Sequence, residues 1–228
     1  MGSNADIMTG LSRIGMMLRS EGWRQTEATG LTPTQSQILL HLVARGAARV
    51  GTVAEEIAVT QPTASDAVAA LTRKGLVEKR PDSEDARAVR LHPTSAGRRV
   101  AAGLAVWPDA LLGAVDMLDA VERAAFLRAL TKMIGALQMR GAIPVQRMCA
   151  SCAHFRPNVH TDAARPHHCT FVDAAFGDAS LRLDCNDHVK ADASAQLASW
   201  TRFTGRAGLE VDAPPAATGG ASGRPPSI

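Results

Sequence analysis

Residues 52–93 constrain the fold of this chain more than any other stretch of the sequence. Apolar residues recur there at helical spacing and predict two short helices, over residues 53–57 and 60–73. Thr60 is placed to cap the second helix with its hydroxyl group, and Gly75 is suited to the turn that ends it. The stretch therefore begins as a helix-turn-helix.

Two short strands are predicted after these helices, over residues 76–80 and 88–91, on either side of the charged segment 81–87. A helix-turn-helix followed by such a hairpin is a winged helix-turn-helix. The usual task of that fold is to place its second helix in the major groove of DNA.

Further helices are predicted before and after the winged helix. Residues 6–24 and 32–43 carry apolar stripes, and a long helix opens at Thr94, with a kink or restart at Pro108. Another helix is predicted over residues 119–140. This is more apolar helix than a lone winged helix can bury, so we expect two subunits to interlock as a homodimer with twofold symmetry. The expected fold class is mainly α with a small β-hairpin wing, in a helical dimer with a Cys-rich C-terminal appendage.

Composition narrows the possible functions. No apolar run approaches the roughly 18 residues of a membrane span, and no secretory segment opens the chain, so we expect a cytoplasmic protein without membrane contact. The net charge of +3 is only weakly basic, but cations cluster between Arg73 and Arg99. The sequence shows no nucleophile–base pair and no Gly-rich phosphate loop, so no enzymatic activity is expected.

Residues 7–140 resemble the MarR family of winged-helix transcriptional regulators. The resemblance is carried by the strand at 76–80, the wing sequence Asp85-Ala86-Arg87 and the segment 91–97, in which leucine, threonine and glycine have the family's spacing. It implies a regulator of transcription in which Arg87 enters the minor groove. It also implies that the recognition helix opens with Thr60, Gln61, Thr63, Ser65 and Asp66.

The residue types in this helix agree with direct reading of base edges. Gln61 can pair with adenine through two hydrogen bonds, and Asp66 can accept a hydrogen bond from cytosine. The partner would be double-stranded DNA with a pseudo-palindromic operator, matching a twofold dimer. The candidate contacts to phosphates and grooves are the cations Arg73, Lys74, Lys79, Arg80, Arg87, Arg90, Arg98 and Arg99.

All four cysteines lie within the segment 149–185, with the spacing C-x2-C-x16-C-x15-C. In a cytosolic chain this crowding favours a metal or redox site over a disulfide framework. Thiolates select soft centres, so the candidates are zinc and an iron–sulfur cluster. The predicted ligands are Cys149, Cys152, Cys169 and Cys185.

The spacing favours a cluster over zinc. A four-cysteine zinc ribbon usually has two C-x2-C pairs, and this chain has one. The arrangement resembles the ligand pattern of high-potential iron–sulfur proteins, which implies a [4Fe–4S] cluster. Five of the seven histidines lie between residues 154 and 188, which favours zinc instead. Any of four could replace a cysteine ligand: His154, His167, His168 and His188.

These observations predict a winged-helix and dimerisation domain over residues 1–148, a metal-binding extension over 149–206 and a disordered tail over 207–228. The favoured function is a repressor whose DNA binding is modulated by an iron–sulfur cluster that senses redox state or iron, with coupling through the linker 141–148. The alternative is a regulator that answers to a small aromatic or lipophilic effector and holds structural zinc. An electron-transfer protein or an enzyme built on the cluster is the third hypothesis.

Overall fold

The computed structural model describes residues 2–82, 85, 87–104 and 108–205, and of residues 25–28 it describes the backbone only. By their internal contacts the residues divide into two compact units, Met1–Asp119 and Ala120–Ile228. The predicted disordered tail lies outside the described residues. No helix in the described part of the chain has both the length and the apolar character that crossing a membrane requires.

The first unit contains the winged helix, in the predicted order. Its elements are α1 (Ser3–Thr29), α2 (Pro33–Arg45), α3 (Val50–Glu56), α4 (Gln61–Arg73), β1 (Val77–Pro81), β2 (Val89–Pro93), α5 (Ser95–Ala102) and α6 (Asp109–Asp116). The two strands form an antiparallel hairpin in which Val77 lies opposite Pro93 and Pro81 opposite Val89. The predicted fold class, mainly helical with a small hairpin wing, is confirmed.

Local sequence signals set the ends of these helices. The Thr32 side chain accepts a hydrogen bond from the Gln35 amide at the start of α2, and Thr60 accepts one from the Thr63 amide at the start of α4. The helix predicted to open at Thr94 ends at Ala102, and the predicted restart is found at α6, which has Pro108 as its N-cap. Proline has no amide hydrogen to continue a helix, so it suits the position before a first turn.

The core of the first unit is formed mainly by α2, α3, α4 and β2, and Ile38, Leu42, Val68 and Leu91 are fully buried in it. Gly97, in the first turn of α5, packs directly against Leu76, the residue before β1. A Cβ atom at this glycine would lie 2.1 Å from the carbonyl oxygen of Leu76. This close backbone contact explains why the wing is followed by a glycine here.

The second unit contains α7, a small sheet and a final helix. Its elements are α7 (Ala120–Met139), a 3-10 turn at Cys149–Ser151, β3 (Phe155–Arg156), β4 (His167–Cys169), β5 (Ala174–Phe176), a 3-10 turn at Asp178–Ser180 and α8 (Ala193–Thr204). The three strands are antiparallel, with β4 in the centre.

Helix α7 is an integral part of this second unit. Met148 and Trp200 are buried in one apolar cluster with Ile134 and Met139 of α7. A Cβ atom at Gly135 would lie 2.4 Å from the Trp200 ring, so this glycine lets the indole rest on the helix. The domain boundary predicted at residue 148 therefore falls inside the second unit.

Candidate nucleic-acid interface and metal centre

Helix α4 presents a polar face at its N-terminal end. Gln61, Thr63, Ser65 and Asp66 are exposed, whereas Ala64, Ala67, Val68 and Leu71 are buried on the opposite face. Thr60 is also exposed, and its hydroxyl group lies 2.8 Å from that of Thr63. The predicted recognition residues therefore lie together on one accessible surface. Small polar side chains at the start of such a helix can approach base edges.

The wing presents cations beside this helix within the first unit. Arg73, at the end of α4, and Lys79, on β1, are exposed. Arg87 is also exposed, and its amide donates a hydrogen bond to Oδ1 of Asp85 at 3.0 Å in the wing turn. Residues 83, 84 and 86 of this turn lie outside the described residues.

Three other predicted cations are engaged within the protein. Arg80 forms an ion pair with Glu78 on the same strand. Lys74 donates hydrogen bonds to the carbonyl group of Gly30 and, at 3.0 Å, to Oε1 of Gln35. Arg90 Nε lies 3.1 Å from Oδ2 of Asp82. Their contacts with DNA stay predictions, and such contacts would compete with these internal partners.

The base of the wing is held by a buried carboxylate that the sequence pattern did not reveal. Asp82 has a side chain with no exposed surface, and Arg49 donates to its Oδ2 from Nε at 2.7 Å. Arg49 is the residue immediately before α3. A charged residue at the tip of a hairpin is usually exposed to solvent, so the sequence gave no sign that Asp82 is buried.

In the second unit the four cysteines surround one cavity of about 180 Å³. Cys149 and Cys152 lie at the two ends of the first 3-10 turn, Cys169 ends β4 and Cys185 follows the second 3-10 turn. All four thiols are free, which excludes disulfides between them in this structure. The fold thus brings the four predicted ligands together, although the first and the last of them are 36 positions apart in the sequence.

Aromatic and backbone groups complete the walls of the cavity. Phe155, Phe171 and Phe176 line it. The amide of Arg182 donates to Sγ of Cys149 at 3.3 Å, and that of His154 donates to Sγ of Cys152 at 3.5 Å. Burial raises the pKa of the Cys149 thiol to about 11. In the metal-free protein this thiol is therefore protonated at neutral pH.

The four candidate histidines differ in their positions. Only His154 lines the cavity. His168 lies 3.2 Å from Asp173 and also 3.2 Å from His160. His188 Nε2 lies 3.0 Å from the hydroxyl group of Ser151. His167 is fully buried and lies 2.9 Å from Asp178. The other three make contacts elsewhere in the second unit and do not line the cavity.

No group of three or more Cys, His, Asp or Glu side chains is arranged to hold a single metal ion in the described ranges. Zinc and the iron–sulfur cluster both stay predictions.

Comparison with known proteins places the first unit. Residues 29–88 match the sequence model of the MarR family. A MepR-like protein solved with pseudoligands is 30% identical, and the match covers 58% of this chain and 94% of that chain, with a TM-score of 0.44. The match assigns residues 29–88 to the MarR family.

Two further solved structures match this chain, and the first of them agrees with the fold. The S. aureus MepR–DNA complex is 23% identical, with 56% of this chain and 95% of that chain covered and a TM-score of 0.51. The regulator BldR from Sulfolobus solfataricus is 24% identical. The match covers 59% of this chain and 98% of that chain, with a TM-score of 0.48. No curated protein matches the chain significantly.

The match to the MarR family model confirms the coarse function predicted from the sequence. The chain is a DNA-binding transcriptional regulator, and MarR-family regulators are not enzymes. The matches to these three structures cover 56–59% of this chain.

Proposed function

We propose that this MarR-family protein is a repressor that binds a pseudo-palindromic operator as a homodimer and whose affinity for DNA is set by a [4Fe–4S] cluster in the cysteine cavity. The observation that carries the proposal is the convergence of all four cysteines on one cavity. A DNA-binding unit and a thiol-lined cavity in one chain indicate a sensor.

The DNA-binding role is assigned to the N-terminal face of α4 and to the wing. Gln61 is the residue best suited to read a base, because its amide can pair with adenine through two hydrogen bonds. Arg73 and Lys79 would hold phosphates, and Arg87 would enter the minor groove. The cations provide affinity, whereas Gln61 and its polar neighbours provide sequence preference.

Exposed apolar side chains support a second copy as partner. On α1, Ile7, Met8 and Met16 are 53%, 63% and 61% exposed, and none of the eight residues of α6 is buried despite their apolar character. Large apolar surfaces on helices are typical of protein interfaces. A homodimer is also typical of the family.

The chemistry of the cavity fits a cluster better than a single zinc ion. Zinc needs four ligands that meet within bonding distance of one point. The cavity of about 180 Å³ and the phenylalanines along its wall instead suit a larger inorganic core. Bound there, such a cluster would exchange single electrons or be lost when iron is scarce. The four cysteines would hold it, and the amides of Arg182 and His154 would stabilise two of the thiolates.

The metal content of protein purified without oxygen tests this proposal. We expect a brown protein with about four iron and four sulfide per chain. Cys169→Ala should lose iron and bind DNA as the metal-free protein does. Ser180→Ala is the matched control, because Ser180 lines the same cavity without a thiol, and it should keep its iron.

A colourless protein with zinc would contradict the cluster. The chain would then fit the alternative, in which zinc is structural and a small aromatic or lipophilic molecule is the effector. A brown protein with a reversible redox couple but no affinity for DNA would instead support the electron-transfer hypothesis.

A further inference from the structure

The sheet that carries Cys169 also carries a buried histidine beside the cavity. His167 and Cys169 are two residues apart on β4, so their side chains lie on the same face of the sheet. In the strand register Phe155 lies opposite Cys169 and Phe176 opposite His167. Phe155, Cys169 and Phe176 line the cavity, so His167 packs against its wall.

The hydrogen bonds of His167 fix its tautomer. The amide of Asn158 donates to Nδ1 at 3.2 Å, so Nε2 carries the proton and donates to Oδ1 of Asp178 at 2.9 Å. The side chain has no exposed surface, and both ring nitrogens are engaged in hydrogen bonds. His167 is therefore a neutral, fully bonded group and not a free ligand.

Helix α7 joins this network through Arg128. Its Nη1 donates to the same Oδ1 of Asp178 at 2.7 Å, and its Nη2 donates to the carbonyl oxygen of Phe203 at 3.0 Å. Partial burial alone would raise the pKa of Asp178, but the hydrogen bonds from His167 and Arg128 lower it below its ordinary value. The carboxylate is thus charged and holds both partners.

A second route connects Arg128 to the same wall. The guanidinium group lies 4.7 Å from the centroid of the Phe203 ring. Phe203 in turn meets the rings of Phe155 at 5.5 Å and His167 at 5.6 Å. One side chain of α7 therefore reaches the cavity wall by a polar path and by an aromatic path.

We propose that Arg128 is the positioning residue through which the occupancy of the cysteine cavity is transmitted to α7, with Asp178 and His167 as its intermediates. The inference rests on the proposed function and specifies how the site regulates DNA binding. It differs from the sequence-based expectation, which assigned the coupling to the linker 141–148.

The physical argument is one of packing. Protein interiors are close-packed, so an emptied cavity of this size draws its walls inward, including Phe155, Cys169 and Phe176. A fully bonded and partly buried polar network is costly to break, so Asp178 and Arg128 move with His167. Since α7 begins at Ala120, directly after the first unit ends at Asp119, the chain carries the displacement to the DNA-binding unit.

The test compares DNA affinity with the cavity filled and emptied. The probe is a duplex selected by the wild-type protein from a random-sequence pool, and iron is removed by chelation under oxidising conditions. For wild type we expect affinities that differ by a factor of about 5 to 150, the usual range of allosteric coupling. For Arg128→Met, which keeps the apolar stem but loses both hydrogen bonds, we expect a ratio near unity with full iron content.

Two more variants sharpen the comparison. Arg128→Lys keeps the charge and should retain an intermediate ratio. Arg165→Met is the matched control, because Arg165 is an exposed arginine of the same unit and its ion pair with Asp162, at 3.1 Å, is local. It should behave as wild type. Amide hydrogen exchange should show that emptying the cavity deprotects α7 in wild type but not in Arg128→Met.

The possible failures are distinguishable. If Arg128→Met keeps both its iron and the wild-type ratio, the inference is wrong and the proposed function stands. If wild type itself binds DNA equally with and without iron, the sensing function fails and the inference fails with it. If Arg128→Met and Asp178→Asn both lose their iron, the network builds the centre and does not transmit its state, which also overturns the inference.

Discussion

Arg49 and Asp82 form a short ion pair, with Nε and Oδ2 2.7 Å apart, that joins the start of α3 to the base of the wing. The carboxylate is fully buried and also lies 3.1 Å from Nε of Arg90 on β2. Two cations from different elements therefore meet one acid. The pair fixes the wing against the helix-turn-helix, and so determines where the wing places Arg87 relative to α4.

Replacing Asp82 with alanine should weaken DNA binding. The loss of a negative charge would by itself raise the affinity for DNA. Without Asp82, however, Arg49 and Arg90 would lose their shared partner, and the wing would no longer be held in place. We expect a loss of about 1–3 kcal/mol, as for one lost groove contact. Glu78→Ala, which removes an exposed acid from the same hairpin, is the control and should bind DNA equally well or better. Equal gains in affinity for both variants, in a fluorescence-anisotropy titration, would contradict the positioning role.

Gln61→Ala should relax the sequence preference of the protein. An amide that reads adenine contributes about 1–3 kcal/mol of discrimination at one base position. Selection of duplexes from a random pool by wild type and variant would reveal the change. An unchanged preference at every position would show that Gln61 does not contact a base.

Lys79→Ala should weaken binding to all sequences alike. A lysine that contacts a phosphate adds about one unit to the slope of log affinity against log salt concentration. We therefore expect a shallower salt dependence with an unchanged sequence preference. Asp66→Ala serves as a comparison, because it alters the recognition face and should change preference more than the slope. A Lys79→Ala slope identical to that of wild type would exclude the phosphate contact.

Gly97→Ala should destabilise the first unit. The added methyl group would lie 2.1 Å from the Leu76 carbonyl oxygen, so the backbone must shift. Overpacking of this kind typically costs about 1–3 kcal/mol. Gly51→Ala is the control, because a Cβ atom there meets nothing within 4 Å. Thermal unfolding followed by circular dichroism should show a lower midpoint only for Gly97→Ala.

Much of the first unit could be predicted because its signals are local. Thr60 caps α4 three residues from its hydrogen-bond partner, and the alternation of buried and exposed residues in α4 follows directly from helical periodicity. The convergence of the cysteines was also predictable, because C-x2-C spacing and crowding within 37 positions indicate a shared site.

The interactions that were missed join distant positions. Arg49 and Asp82 are 33 residues apart, and Arg128 and Asp178 are 50 apart. No periodicity marks such pairs, because each charged side chain alone has the appearance of a surface residue. The sequence likewise left His167 as a possible metal ligand. Its packing against Phe155 and its hydrogen bond to Asp178 become visible only in the folded structure.

The central claim is that the cysteine centre controls DNA binding. The most direct test is an equilibrium titration of one selected duplex with anaerobically purified protein and with the same preparation after its iron is removed. The account predicts two binding curves separated by a factor of about 5 or more. Coincident curves from protein that demonstrably held iron would contradict it.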